Sequence, residues 1–235
     1  MKSKIAILWL WAIGALVNIV SAQEAYDGKS FENYAIALKA GTYGIGFDIS
    51  TALHPNTKFR LGFNYLGIDY TAGLEYKATG LSSGNKIPVN IDNAELRFPN
   101  VNILVDYFPK RSGIFHFTTG LYFGQSKISA YGKAPEAFLA DDYVVQPNPD
   151  NSFSAHLKLG NVVKPYFGIG LGRTITKHRV GFKFELGILY QGPYTIETNN
   201  AQTELIKKEI DNIELPELLT RLWPMLTLSL SYRIK

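Results

Sequence analysis

The stretch VVKPYFGIGLGRTITKHRVGFKFELGILYQGPY, residues Val162–Tyr194, contains two runs of alternating residues joined by a polar turn at 176–179. In the second run, large apolar residues occupy every other position: Val180, Phe182, Phe184, Leu186, Ile188 and Tyr190. Most positions between them are small or charged: Gly181, Lys183, Glu185 and Gly187. Side chains of a strand point alternately to its two faces, so each run has an apolar face and a glycine-rich or charged face. This pattern favours lipid on the apolar side and the inside of a narrow barrel on the other.

The same alternation recurs through the chain and predicts about eight strands, each near the ~9–11 residues that a tilted strand needs to cross a bilayer. The strands are predicted at 34–40, 45–51, 58–65, 94–108, 115–123, 153–172, 180–190 and 226–234. Counts of ten or twelve strands stay open. We therefore predict an all-β fold, an antiparallel up-and-down transmembrane β-barrel, because open sheet edges cannot satisfy their hydrogen bonds in lipid.

Short and long connections alternate along these strands. Short turns are predicted at 53–57, 109–113 and 176–179, and long loops at 72–93, 131–151 and 195–223. Outer-membrane barrels have short periplasmic turns and long outer loops, which places the short turns in the periplasm. Gly41–Gly44 is interpreted as a hairpin turn, since a turn brings both chain ends to that side. Apolar residues at helical spacing predict one helical segment at 201–222, before the last strand, on the membrane surface or on the barrel rim.

The N-terminus predicts export. Met1–Ala22 has two early lysines, an apolar run at 5–20 and small residues at the cleavage position, which together are typical of a cleaved signal peptide. The mature chain, 23–235, would then be a single barrel domain in the outer membrane. A retained membrane anchor is the alternative, because the apolar run approaches the ~20 residues of a spanning helix.

The composition excludes several classes of function. The 235 residues include no cysteine, which excludes disulfides, thiolate metal sites and a lipid-modified N-terminal cysteine. The net charge of +4 includes two lysines of the predicted signal peptide, and no block of positive charge indicates nucleic-acid binding.

The positions opposite the apolar face predict the contents of the barrel interior. They define an interior polar network of Asp48, Arg60, Asp106, His116, Lys183, Glu185 and Arg233. The same parity also turns Lys58, His156 and Lys158 inward. Charges are costly to bury unless they are paired, so this mixed-sign set indicates a network that fills the barrel. An eight-stranded barrel holds side chains or one small ligand, so a narrow polar path or a small-ligand site is the alternative.

No catalytic arrangement is found in the sequence. Two of the four histidines, His54 and His178, lie in or beside predicted short turns. The other two, His116 and His156, are predicted to face inward, and no serine is spaced from them as in a catalytic pair. The glycines of 168–172 lie in a predicted strand and do not open a helix, so they do not form a nucleotide-binding loop. We expect no enzyme activity, metal or cofactor. Two alternatives remain: an enzyme that modifies envelope lipid, and a secreted lipocalin-like binding protein.

Several short stretches together carry a family resemblance. They are Gly41-Thr42-Tyr43-Gly44-Ile45-Gly46, Phe59-Arg60-Leu61-Gly62-Phe63-Asn64-Tyr65, Asp106-Tyr107-Phe108-Pro109, Pro165 to Gly172, Leu186 to Pro193 and Ser231-Tyr232-Arg233-Ile234. With these stretches the chain resembles a family of small Gram-negative outer-membrane β-barrel proteins, most of them without an assigned function. The resemblance implies a barrel in the outer membrane, with outer-membrane lipid and the barrel-assembly machinery as partners. It implies no catalytic residues and leaves the oligomeric state open.

Overall fold

The computed structural model describes residues 30–140, 143–176, 179–193, 195–198 and 221–234. The predicted signal peptide, and all but the last two residues of the predicted helix at 201–222, lie outside these ranges. Among the described residues, no helix is long and apolar enough to cross a membrane.

The described part of the chain forms thirteen β-strands. They are β1 (Tyr34–Gly41), β2 (Gly44–His54), β3 (Thr57–Gly80), β4 (Lys86–Tyr107), β5 (Phe115–Phe123), β6 (Ser126–Lys133), β7 (Phe138–Ala140), β8 (Tyr143–Val145), β9 (Ser152–Leu159), β10 (Val163–Gly172), β11 (Val180–Tyr190), β12 (Thr195–Thr198) and β13 (Leu222–Arg233). Every pairing between them is antiparallel, which confirms the prediction of an all-β antiparallel fold.

Eight of these strands pair in a cycle that returns to its first member. The order is β1, β2, β3, β4, β5, β10, β11, β13 and β1 again. We call these eight strands the strand ring. Because each of its members has a neighbour on both sides, the ring has no unpaired edge, as strands in lipid require. The other five strands extend the sheet beyond the ring.

The number of strands differs from the predicted eight, and the predicted loop at 72–93 is wrong. There β3 continues to Gly80 and β4 begins at Lys86, so the two strands form one long hairpin. A bulge between Thr71 and Leu74 shifts the register. The bulge changes which face each residue occupies, so the alternation that marks a strand is lost in this part of the sequence.

The predicted loop at 131–151 is also wrong, because it contains the end of β6 and the short strands β7 and β8. The strand predicted at 153–172 is divided into β9 and β10. The last strand begins at Leu222 and not at 226. The predicted hairpin turn is confirmed, since Gly41 pairs with Gly44.

Burial alternates along the ring strands in phase with the sequence. In β10 the even-numbered residues from Lys164 to Gly172 are buried, whereas the odd-numbered residues from Val163 to Leu171 are exposed. The buried positions face the ring interior and include many polar residues, whereas the exposed positions are mainly large and apolar. The charged residues of the ring strands therefore point mainly inward, whereas most of their large apolar residues point outward.

Two apolar clusters lie on the side of the long hairpin β3–β4. The first, which we call the aromatic cluster, is inside the ring and contains Tyr43, Phe98, Leu104, Tyr122, Tyr166, Leu189 and Met225. The second lies in the sheet extension and contains Ala78, Ile87, Val89, Ala134, Phe138, Val145 and Phe153. We call this side the long-hairpin end, and the opposite side, where β2 meets β3 and β4 meets β5, the short-turn end.

Candidate functional site

A cluster of charged side chains lies inside the strand ring, between the aromatic cluster and the short-turn end. We call it the interior network: Lys39, Asp48, Arg60, Asp106, Lys183 and Glu185. These residues occupy inward positions on β1, β2, β3, β4 and β11, and none is more than 4% exposed. Side chains that are far apart in the sequence meet here because the ring places five strands around one narrow interior.

Arg60 is the centre of the interior network. Its Nη1 donates to Asp48 Oδ2 at 3.1 Å, and its Nη2 donates to Asp106 Oδ1 at 2.8 Å and to Glu185 Oε2 at 2.9 Å. Its Nε donates a further bond to Asp106 Oδ1 at 3.1 Å. The planar guanidinium has five donors in a fixed geometry, so one side chain bridges three carboxylates on three strands.

Two lysines complete the charge balance of the interior network. Lys39 Nζ lies 2.5 Å from Asp48 Oδ1 and donates to Asn102 Oδ1 at 2.7 Å. Lys183 Nζ lies 2.8 Å from Glu185 Oε2 and 3.3 Å from Asp106 Oδ2. The interior network therefore contains three cations and three carboxylates, which is the condition for burying charges at acceptable cost.

Neutral side chains donate further hydrogen bonds to two of these carboxylates. The Thr118 hydroxyl donates to Asp106 Oδ1 at 2.8 Å, and the Tyr166 hydroxyl donates to Glu185 Oε1 at 2.7 Å. Tyr166 also belongs to the aromatic cluster, where its ring centroid lies 5.5 Å from that of Tyr122. The Tyr166 side chain therefore contacts both the interior network and the aromatic cluster.

His116 lies at the short-turn side of the interior network. Its Nδ1 donates to the carbonyl of Ile114 at 3.3 Å, and its Nε2 lies 3.6 Å from Glu185 Oε2. The Phe108 ring lies beside it, with 5.0 Å between the centroids. These contacts position the imidazole as a neighbour of the network and bury it completely.

Asp106, His116 and Glu185 also offer ligand atoms that lie within 4.8 Å of one another, a spacing that could hold a metal ion. However, Arg60 and Lys183 already contact both carboxylates. A divalent cation would add two positive charges beside two buried cations, so the charge balance disfavours a metal at this position.

The sequence predicted seven polar residues in the barrel interior, and six of them lie close together in the structure. They are Asp48, Arg60, Asp106, His116, Lys183 and Glu185. Arg233 lies at the short-turn end instead. It is the last residue of β13, it is half-buried, and its Nη1 donates to the carbonyl of Thr176.

The prediction that His156 and Lys158 face the interior is wrong. In β9, Leu159 packs against the aromatic cluster inside the ring, and Phe153, which has the same parity, belongs to the apolar cluster of the sheet extension. His156 lies on the other face, where its Nδ1 is 3.0 Å from Ser129 Oγ. The irregular link at 160–162 between β9 and β10 reverses the parity, so the alternation of β10 does not extend to β9.

Sequence reasoning missed four participants in the interior network: Lys39, Asn102, Thr118 and Tyr166. Lys39 could have been found, because it alternates with the apolar residues of β1. Asn102 and Thr118 carry no charge, so nothing in the sequence separates them from other inward polar residues.

Comparisons with known proteins show the fold. No protein-family model and no curated protein matches the chain. The crystal structure of CarO2 from Acinetobacter baumannii is similar with a TM-score of 0.53 and 14% identity, over 88% of this chain and 100% of that chain. CarO from the same organism gives the same TM-score and identity, over 87% of this chain and 99% of that chain. A major outer membrane protein from Thermus thermophilus reaches a TM-score of only 0.37, which is too low to carry an argument.

At this level of identity, the likeness to CarO2 and CarO shows a shared fold alone. The matched region covers most of this chain and nearly all of each of those two chains.

Proposed function

We propose that this chain is an integral outer-membrane β-barrel protein whose interior is closed by the interior network and the aromatic cluster. Its role is structural, or it binds a small ligand or transports one at a low rate. The fold that it shares with CarO2 and CarO supports the architecture.

The polarity of the strand ring is inverted relative to a soluble protein. Every ring strand exposes large apolar side chains, for example Leu38, Phe47, Leu61, Ile103, Phe117, Phe167, Ile188 and Leu230. The interior buries charged groups such as Arg60. Soluble monomers rarely expose continuous apolar surface of this extent, whereas the outer face of a membrane barrel is an apolar band.

The strand lengths support the same placement. The ring strands other than β3 and β4 have between 8 and 12 residues, close to the ~9–11 that cross a bilayer. The strands β3 and β4 have 24 and 22 residues, so their hairpin projects beyond the band. Since outer loops are the longer ones, the long-hairpin end is assigned to the outside and the short-turn end to the periplasm.

The inverted polarity also weighs against the two alternatives. A secreted lipocalin-like protein needs a polar surface and an apolar interior, which is the opposite distribution. An enzyme acting on envelope lipid needs a reactive group that lipid can reach, whereas His116 is completely buried and faces Glu185.

Replacing Leu38 with arginine is expected to reduce the amount of folded protein in outer membranes sharply. Leu38 is 71% exposed in the middle of β1, and arginine on the lipid face of a barrel costs about 2–4 kcal/mol at the bilayer midplane. The measurement is the fraction of membrane protein that migrates as a folded band in unheated gels.

Leu74→Arg is the matched control, because Leu74 is 56% exposed but lies on the part of β3 that projects beyond the band. We expect it to behave like the unchanged protein. If Leu38→Arg were equally neutral, as surface substitutions in soluble proteins are, the membrane placement would be wrong.

Because its interior is closed, the protein is expected not to conduct ions across a bilayer. The mature protein inserted in planar bilayers is expected to give no discrete current steps, whereas a porin inserted in the same way gives them. Regular steps would contradict a closed interior and would favour a transport role, without affecting the membrane placement.

A further inference from the structure

The projecting part of β3 has an edge that no strand of the described ranges covers. On one side of β3, β4 pairs with it almost from end to end. On the other side, β2 pairs with β3 only as far as Tyr65, and β7 pairs only with Thr79 and Gly80. We call the uncovered side, from Leu66 to Ala78, the open edge. The unpaired N–H and C=O groups of such an edge are a template for pairing with another chain.

One face of the open edge carries large apolar side chains. Ile68, Tyr70 and Tyr76 are 53%, 60% and 55% exposed. Tyr76 is opposite Val89, a member of the apolar cluster of the sheet extension, and Ile68 is opposite Leu96, which packs against the aromatic cluster. Opposite residues of an antiparallel pair share a face, so both apolar clusters extend across the sheet to the open edge. There their outermost side chains are exposed.

The other face of the open edge carries charges. Asp69, Glu75 and Lys77 alternate with the apolar residues and are exposed. The Asp69 carboxylate pairs with Arg97 on β4, but its side chain is 67% exposed, so a second cation can reach it from the open edge. Lys77 makes no ion pair within the part of the chain that the structure describes.

The open edge is complementary to a second copy of itself in one antiparallel register. When Asp69 of one copy is opposite Lys77 of the other, Tyr70 is opposite Tyr76, so charged and aromatic residues both find matching partners. Because the two copies are related by a two-fold axis, each of these pairs occurs twice. Opposite charges that face each other across a strand pair stabilise it, and aromatic pairs do the same.

Charge disfavours the competing arrangements of two open edges. A shift of two residues in one direction places Asp69 opposite Glu75, and the same shift in the other direction leaves Asp69 without a charged partner. A parallel pairing in register places each charged residue beside its own copy. Like charges directly opposite each other destabilise a strand pair, so the antiparallel register with Asp69 opposite Lys77 is the favoured one.

We propose that the open edge binds the open edge of a second copy of this chain, antiparallel and with Asp69 opposite Lys77. Main-chain hydrogen bonds join the two edges, and the two ion pairs fix the register. Because β3 leads away from the membrane band, an antiparallel pair places the two barrels head to head, which fits copies in two facing outer membranes. This orientation rests on the proposed membrane placement, whereas the pairing of the edges does not.

Disulfide trapping tests the register, and the absence of cysteine from the chain leaves no competing thiol. The variants Asp69→Cys and Lys77→Cys of the mature protein in detergent are oxidised separately and as an equal mixture. Opposite residues have Cβ atoms about 4.5–5.5 Å apart, near the distance that a disulfide spans. We expect covalent dimers in the mixture and few with either variant alone. No dimers in the mixture, or as many with one variant alone, would overturn the proposal.

The dissociation constant of the dimer, measured by sedimentation in detergent, tests the ion pairs. Lys77→Asp is expected to raise it about tenfold or more, because both ion pairs become like-charge contacts. Lys86→Asp, which changes an exposed lysine of β4 outside the open edge, is the control and should leave it unchanged. The double variant Asp69→Lys/Lys77→Asp exchanges the charges and should restore most of the affinity. An unchanged constant in Lys77→Asp, or an unchanged protein that stays monomeric, would contradict the pairing.

Phosphatidylcholine vesicles that carry the mature protein test the head-to-head orientation. Vesicles with the unchanged protein are expected to cluster, which raises their light scattering, whereas vesicles with Lys77→Asp are expected to stay separate. Dimers in detergent without clustering of vesicles would contradict the facing membranes. These outcomes are separate from the membrane placement, which the folded band of Leu38→Arg tests. Leu74→Arg lies on the open edge, but the folded band reports on the barrel, so it remains the control there.

Discussion

Replacing Arg60 with methionine is expected to destabilise the folded protein by about 3–5 kcal/mol or more, the range for breaking a buried ion pair from one side. The side chain is 1% exposed and contacts Asp48, Asp106 and Glu185. Its removal leaves three buried carboxylates with only two lysines. The measurement is the free energy of unfolding by urea of protein refolded into lipid vesicles.

Arg97→Met is the matched control for this substitution. Arg97 lies on β4 and pairs with Asp69 and Glu95, but its side chain is 35% exposed. Exposed ion pairs contribute about 0–1 kcal/mol, so a small change is expected. In the double variant Arg60→Met/Glu185→Gln, removal of one carboxylate charge should restore part of the lost stability. Equal stabilities of Arg60→Met and Arg97→Met would show that the interior network does not support the fold.

Replacing Gly187 with leucine is also expected to lower the free energy of unfolding by several kcal/mol. A Cβ at Gly187 would lie 2.3 Å from the hydroxyl oxygen of Tyr166 and 2.5 Å from its Cζ. A Cβ at Gly168, the register partner of Gly187, would be similarly close to that hydroxyl, at 2.5 Å. The tyrosine ring thus lies directly over a pair of glycines, and no side chain fits at either position without moving it.

Moving Tyr166 has two costs. Overpacking of the interior costs about 1–3 kcal/mol, and the lost hydrogen bond to the Glu185 carboxylate costs about 1.5–3 kcal/mol. We expect a loss of roughly 2.5–6 kcal/mol in the same unfolding measurement, the sum of these two ranges. Gly73→Leu is the control, because a Cβ at Gly73 would meet no atom within 4 Å. If the two variants were equally stable, the contact of Tyr166 with the glycine pair would not constrain the fold.

The alternation in Val162–Tyr194 was sufficient to predict an antiparallel strand pair with polar residues such as Lys183 and Glu185 inside. This prediction succeeded because residue parity alone assigns a side chain to one face of a strand. It failed where the parity changes. The bulge between Thr71 and Leu74 and the link at 160–162 each shift the alternation.

Residue parity also did not predict which charged side chains contact each other inside the ring. Lys58 and Lys183 both lie inward, as their parity predicted. Within the part of the chain that the structure describes, Lys183 pairs with Asp106 and Glu185, whereas Lys58 makes no ion pair. The alternation pattern assigns each residue to a face, but it does not show which residues from distant parts of the chain are in contact.

The sequence by itself determined the class of fold and the face on which each ring residue lies, because strand geometry repeats every two residues. The tertiary structure decided which strands are neighbours, how far β3 and β4 project, and which charges meet. Closure of the ring decides these features, since it brings Arg60 of β3 and Glu185 of β11 within 2.9 Å of each other.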